Sequence, residues 1–410
     1  MVKTSFGVAA ALWLCACPSH ARTEPQAAPP PLTYRAALDL AVSRNLGLAA
    51  ARRQRAIRAA QVKVARQWAN PDVSVEVTKD TPHQTFTLGI PIEIGGQRGR
   101  RIALATEELT LADLDERAEM RILRRNLRQA FSALVASDER VRLATEVVAL
   151  AERAQQVAQT RFDTGAAPRL DVLQADLGLA RAQADADLAR SSRASALADL
   201  NAVLNQPPGQ ALAVTGDLAD AGPLPDFGKA VAMAASSNGD LLAAEREAAI
   251  EERQLAVLRA ERVPTPTVTF GLMRDSPPDF TLGPSINFGL SLPLFSRNQG
   301  EIAASEATLD QIHATRDAAQ RTVENDVYGA LARIDAQRKQ VDAFRTRIIP
   351  AATELTALAE ESYRLGRNSV LALLDAQRSL RDVKREYLQA LLDFQAALAD
   401  LEEVIGGPIE

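Results

Sequence analysis

The chain has 410 residues, 76 of them alanine and only 4% aromatic, with a formal net charge of −5 at pH 7. Small residues in bulk with few aromatics argue against a thick globular core and suit long helices packed closely together. The mildly acidic balance argues against a nucleic-acid binder, and three histidines (His20, His83, His313) with two cysteines (Cys15, Cys17) argue against a His/Cys metal or thiol site in the mature chain.

At the N-terminus, Met1-Val2-Lys3 precedes an apolar run from Phe6 to Leu14 that is too short to span a bilayer, the pattern of an export signal. Two ends fit it. Ser19-His20-Ala21 carries the small residues of an ordinary signal-peptidase site, giving a leader of 1–21. Leu14-Cys15-Ala16-Cys17 resembles a bacterial lipobox, with Cys17 as the lipidated residue. Residues 22–34 are proline-rich and read as an extended tether. No later apolar run approaches the ~18 residues of a membrane-spanning helix, so any membrane crossing is not helical.

Two structural repeats follow, 35–220 and 221–410. The first begins with a helix predicted over about Arg35–Trp68. An alanine-free window then runs from Pro71 to Ile102. In it Val73, Val75 and Val77 alternate with Ser74, Glu76 and Thr78. Beyond the polar loop Asp80–His83, Phe86, Leu88, Ile90, Ile92 and Ile94 alternate with Thr85, Thr87, Gly89, Pro91 and Glu93. This is a hairpin, 72–94, of period two. Gln97–Thr160 contains no proline and predicts a helix roughly 95 Å long. The turn Phe162-Asp163-Thr164-Gly165 leads to a returning helix.

The second repeat has the same order: a helix over about Lys229–Arg262, an alanine-free window from Glu261 to Ile302 with hairpin 266–295, a long helix, the turn Tyr363-Arg364-Leu365-Gly366, and a returning helix. Gly366 follows Gly165 by 201 residues, Pro293 follows Pro91 by 202, and Asn238 follows Asn45 by 193. Pro350 has no counterpart in the first copy and predicts a kink or break. In the last helix Leu373, Ala376, Leu380, Val383, Tyr387, Ala390, Phe394, Ala397 and Leu401 form a heptad seam, matched in the first copy by Val172 to Leu200 with Arg193 as the polar exception.

Alternating strands of this kind serve either a half-buried soluble sheet or a membrane barrel. The alanine-rich helices offer little bulky apolar surface to cover a sheet, so the Val/Ile/Leu/Phe faces are expected to meet outer-membrane lipid and the polar faces a wet lumen. Four strands cannot close a barrel, and an open edge in lipid leaves backbone donors unpaired. Several chains must therefore share one barrel.

The element order, the segment Ile90-Pro91-Ile92-Glu93-Ile94-Gly95-Gly96-Gln97-Arg98 and the Tyr363-x-x-Gly366 turn with Val370 to Ala376 resemble the TolC-like outer-membrane efflux proteins, most of all the cobalt-zinc-cadmium (CzcC-like) branch, over nearly the whole mature chain. The resemblance implies a mainly α fold, a long coiled α-helical barrel with four transmembrane β-strands per chain, completed by trimerisation into a 12-stranded barrel. It implies a homotrimer working with an inner-membrane RND-type pump and a periplasmic adaptor protein, embedded in outer-membrane lipid, with heavy-metal cations as the cargo and no cofactor.

It also implies a periplasmic gate at the helix tips marked by Gly165 and Gly366. Asp375 matches one position of a cation-sensitive aspartate ring, whose other position is held by Ala372. Asp171 matches an aspartate that links to the tyrosine matching Tyr363. The family's basic link falls on Asn368, with Arg367 beside it. On local grounds alone, Asp171 and Asp375 are solvated or capping carboxylates near helix starts. The stretch Gly95–Arg101 lacks the Lys-Ser/Thr of a nucleotide loop and reads as a strand-to-helix junction with arginines at the headgroup level. His83 reads as a solvated loop residue. A periplasmic adaptor is the alternative function, although adaptors have one helical hairpin between split β domains. No convergent catalytic cluster suggests an enzyme.

Overall fold

The computed structural model describes residues 31–276 and 280–409. The leader and Cys17 lie outside the described residues, as do the last three residues of the Asp275–Asp279 loop.

Helices α1 (Tyr34–Arg44) and α2 (Leu46–Ala65) lead into strands β1 (Asp72–Val77) and β2 (Gln84–Pro91), the long helix α3 (Gln97–Asp163) and the returning helix α4 (Arg169–Val203). The order then recurs: α5 (Phe227–Ser237), α6 (Gly239–Ala260), β3 (Pro266–Ser276), β4 (Phe280–Leu290), α7 (Gln299–Ala343), a π-helical turn (Phe344–Ile348), α8 (Ile349–Arg364) and α9 (Val370–Ile405). No described helix is long and apolar enough to cross a membrane.

Three sequence expectations are corrected in detail. The single helices expected over 35–68 and 229–262 are each broken, at Asn45 and Asn238. Asn45 Oδ1 accepts from Leu48 N at 2.8 Å, and Asn238 Oδ1 accepts from Asp240 N at 3.0 Å and Leu241 N at 3.1 Å, so each asparagine starts a new helix as its N-cap. Strands β2 and β4 end at Pro91 and Leu290, leaving Ile94, Leu292 and Leu294 outside the ladder, while Ile92 N still donates to the Pro266 carbonyl of β3 at 2.8 Å. At Pro350 the helix does not stop. The preceding turn widens to a π-helix, and the proline, which has no N–H to donate, takes the opening positions of α8. At the tether's end, Leu32 already pairs with Val214 as a parallel bridge, and α1 begins at Tyr34.

The strands form one antiparallel sheet in the order β1-β2-β3-β4, so β2 of the first copy pairs with β3 of the second. The register sorts the side chains onto two faces. Val73, Leu88, Phe270 and Ile286 stand in one cross-strand row, and Ser74, Thr87, Gly271 and Ser285 in the next. The apolar face is uncovered, with Val73 73% and Phe288 79% exposed. Ser74 and Thr87 hydroxyls bond at 2.6 Å on the polar face. Among the described residues, strands β1 and β4 are free edges.

Both long helices start from a left-handed residue at the end of a hairpin, Gly96 (φ 72°) before α3 and Asn298 (φ 54°) before α7. At the first junction Arg98 lies over the Trp68 ring at 4.4 Å and donates to the Arg66 carbonyl, while Arg101 grips Glu93 with both guanidinium nitrogens. Two cores lie beyond the sheet and correspond position by position. Leu123, Leu127, Leu134, Leu200 and Leu204 pack with α1, and Val323, Val327, Ile334, Leu401 and Ile405 pack with α5. Along α3, α4 and α9 the contacts rest largely on alanine (Ala151, Ala154, Ala158, Ala175, Ala182, Ala186, Ala376, Ala390, Ala397), whose small side chains let helix axes approach closely. The seam exception Arg193 is paired with Asp138 of α3.

Candidate functional site at the helix tips

The two hairpins, α3/α4 and α8/α9, reverse at the residues singled out in the sequence. Gly165 has φ 72° and Gly366 φ 71°, a left-handed conformation that glycine adopts at little cost. Each reversal is closed by the same bond. Ala166 N donates to the Arg161 carbonyl at 2.7 Å, and Arg367 N donates to the Ser362 carbonyl at 2.9 Å. Ser369 caps α9 by accepting from Ala372 N at 3.4 Å, and Asn368 Oδ1 accepts from Ser369 N at 2.9 Å.

Tyr363 is the centre of the site. It is 1% exposed and packs with Ala154 and Val157 of α3, Ala359 of α8, and Val370, Leu373 and Ala376 of α9. Its hydroxyl is buried and has no hydrogen-bond partner among the described residues. Burial pushes that hydroxyl above the ordinary phenol value of 10.0; the nearby Asp171 carboxylate adds to the rise, and the Arg161 guanidinium opposes it. Asp171 is therefore electrostatically coupled to Tyr363, but the structure forms no hydrogen bond between them. Asp171 also sits in the first turn of α4, where the helix dipole favours a carboxylate.

Asp375 is exposed, one turn inside α9, with its carboxylate 3.5 Å from Arg378. Arg367 is exposed on the tip itself. The structure thus joins Asp171 and Tyr363 in one electrostatic environment and leaves Asp375 and Arg367 facing solvent in a single chain.

Sequence reasoning missed Arg161. Its guanidinium stacks over the Tyr363 ring at 4.8 Å, Nη1 donates to the Tyr363 carbonyl at 2.8 Å, and Nη2 donates to the Ala166 carbonyl at 3.4 Å. One cation thereby satisfies carbonyls at the ends of both hairpins, where helix dipoles concentrate negative charge. The available signal was a break in the repeat, because the residue 201 positions later is Ser362. Further from the tips, Arg381 of α9 bonds Asp185 of α4 at 3.0 Å, and Lys384 bonds Glu146 of α3 at 3.1 Å. The hairpins are thus tied at the tips and again along their length.

At the opposite end of the chain, His83 is not isolated. Its Nδ1 lies 3.5 Å from Asp275 Oδ2, which joins the two hairpin loops.

A sheet with one uncovered apolar face, carried on helices as long as the 67-residue α3, defines a membrane-embedded channel wall continued by a helical tunnel. The chain belongs to the family described as Outer membrane efflux protein, whose model matches residues 37–206 and 230–407. It is 27% identical to the cobalt-zinc-cadmium resistance protein CzcC of Cupriavidus metallidurans over 93% of this chain and 92% of that one. It is 29% identical to the nickel-cobalt-cadmium resistance protein NccC of Alcaligenes xylosoxydans xylosoxydans over 64% of this chain and 63% of that one. Among solved structures it shares the fold of CusC, with a TM-score of 0.77 at 18% identity, covering 91% of this chain and 92% of that one. The protein is an outer-membrane efflux channel with a large periplasmic helical part, and nothing in the sheet or the family match supports the adaptor reading.

Proposed function

We propose that three copies of this chain form the outer-membrane duct of a tripartite efflux system, that heavy-metal cations are its cargo, and that an inner-membrane RND-type pump and a periplasmic adaptor feed it. The observation that carries the shared barrel is the pair of free edges, β1 and β4, on a sheet whose apolar rows run from edge to edge. Each unpaired backbone group left in hydrocarbon costs several kcal/mol, and pairing β4 of one copy with β1 of the next removes the edges altogether. Three copies give twelve strands and leave an open lumen.

The duplication also indicates where the neighbour docks on the helices. Within one chain, Ala154 and Val157 pack into the cluster around Tyr363 and Leu373. Their counterparts 201 residues later, Leu355 and Leu358, are exposed, as are Phe162 and Leu173 of the α3/α4 tip. The α4 tip of a second copy fits on Leu355 and Leu358 as the α9 tip fits on Ala154 and Val157.

Metal cargo is supported by the resistance functions of CzcC and NccC, named for cobalt, zinc, cadmium and nickel. The gate reading assigns the shut periplasmic end to the tips, with Asp375, Asp171, Tyr363 and Arg367 as its polar residues. Deleting the gene and challenging the strain with zinc, cobalt, cadmium, nickel, copper and organic drugs tests the cargo. Sensitivity to the divalent cations with unchanged drug tolerance is expected, and the reverse pattern overturns metal cargo. Replacing Asp375 with alanine is expected to raise single-channel conductance, and unchanged conductance removes it from the gate.

A further inference from the structure

We propose that Arg161 is the clamp that holds the two helix tips of one protomer together in the shut channel. The proposal rests on the reading of the tips as the gate.

Three observations carry it. First, Arg161 is placed to act on both hairpins at once. It ends α3, bonds the Ala166 carbonyl of its own turn, and bonds the Tyr363 carbonyl at the end of α8 while covering that residue's ring. Second, Asn368 in the turn between α8 and α9 has its side chain turned to its own backbone at Ser369 N. The neighbouring Arg367 is exposed, whereas Arg161 supplies a cation at the junction from the other hairpin. Third, the clamp is not repeated. The counterparts of Arg161 and Tyr363 are Ser362 and Phe162, and Phe162 is 40% exposed where Tyr363 is buried. A serine and a phenylalanine cannot reproduce a charge-assisted bond to a carbonyl or a cation over a ring. The seam between copies therefore lacks this tie, so the clamp acts within each protomer and must release for its two tips to part.

The geometry specifies which atoms matter. Arg161 acts on the Tyr363 carbonyl and ring, whereas the hydroxyl has no partner among the described residues. Arg161 is a positioning residue: it touches no cargo and sets the tips.

The test is single-channel conductance of the purified full-length channel in planar bilayers, with the heat-labile oligomer on gels as the check of assembly. Arg161→Ala is expected to raise open-state occupancy about tenfold, the factor that goes with ~1.4 kcal/mol. Arg161→Lys, which keeps the charge and a donor, is expected to stay shut, a rescue that a purely space-filling role does not require. Tyr363→Phe is expected to stay shut and Tyr363→Ala to open. Should Arg161→Ala fail to assemble, Arg161→Gln is read in its place with the same expectation. A shut Arg161→Ala channel beside an open Asp375→Ala channel overturns the clamp and leaves the gate reading standing. Tyr363→Phe opening as far as Arg161→Ala overturns the clamp in favour of a tie through the hydroxyl. If the Arg161 and Asp375 variants all stay shut, the gate reading falls with it.

Discussion

Asn45 and Asn238 hold the same place in the two copies. Each closes one short helix and caps the next, with backbone angles of −66°/127° and −62°/129°. Asn238 makes more of its place, since its Oδ1 accepts from two backbone N–H groups where Asn45 accepts from one, and its Nδ2 also donates to the Val404 carbonyl at 2.9 Å, tying the second copy's cap to the end of α9. Losing a cap costs about 1 kcal/mol. Asn45→Ala is therefore expected to lower the thermal midpoint modestly. Asn238→Ala also strands the Val404 carbonyl, which adds about 1–3 kcal/mol. Differential scanning fluorimetry of the detergent-solubilised protein should rank them in that order; equal losses would contradict the role given to Val404.

Neighbouring residues of β2 give a test of the sheet's two faces. Leu88 belongs to the uncovered apolar row and Thr87 to the polar row. Lysine on the lipid face near the bilayer midplane costs about 2–4 kcal/mol, whereas the lumen face tolerates it. Leu88→Lys is expected to reduce the amount of heat-labile oligomer in outer-membrane extracts sharply, with Thr87→Lys close to wild type.

Leu358 is exposed in one chain at the position equivalent to the buried-cluster residue Val157. Leu358→Asp is expected to weaken assembly of the helical part while leaving the fold of each chain intact, since it touches no core of its own chain. Size-exclusion chromatography with light scattering reads the loss of oligomer, and circular dichroism the retained helix.

The raised pKa of Tyr363 has a defined consequence for stability. A group whose folded value lies above its unfolded value of 10.0 contributes stability that is fully present below 10.0 and is lost as pH rises through the folded value. Tip packing is thus insensitive to this residue through neutral pH and weakens above about 10. A thermal-midpoint profile from pH 7 to 11 should fall less steeply for Tyr363→Phe than for wild type, because phenylalanine does not ionise; parallel curves would show that Tyr363 does not contribute.

Much of this fold was legible in the residues. The two alanine-free windows hold the four strands, since β-branched and aromatic residues alternate there with polar ones, and the heptad seam of α9 is buried or half-buried along its length. The helix breaks at Asn45 and Asn238 were hidden because the buried positions Ala41 and Leu48 stay seven residues apart across the cap and so keep a helical phase. The pairing of β2 with β3 joins residues as distant as Gln84 and Arg274, for which local patterning carries no code. Tyr363 and Gly366 stood out through turn chemistry. Arg161 did not, because an arginine in the last turn of a helix is ordinary, and its partner Tyr363 lies 202 residues away in the chain.

The central claim is that the four-stranded sheet is completed by other copies of the same chain. Native mass spectrometry of the protein extracted from outer membranes tests it most directly. Three chains per particle are predicted, converting to single chains on heating. A particle holding one chain, stable in the membrane extract, would contradict the shared barrel.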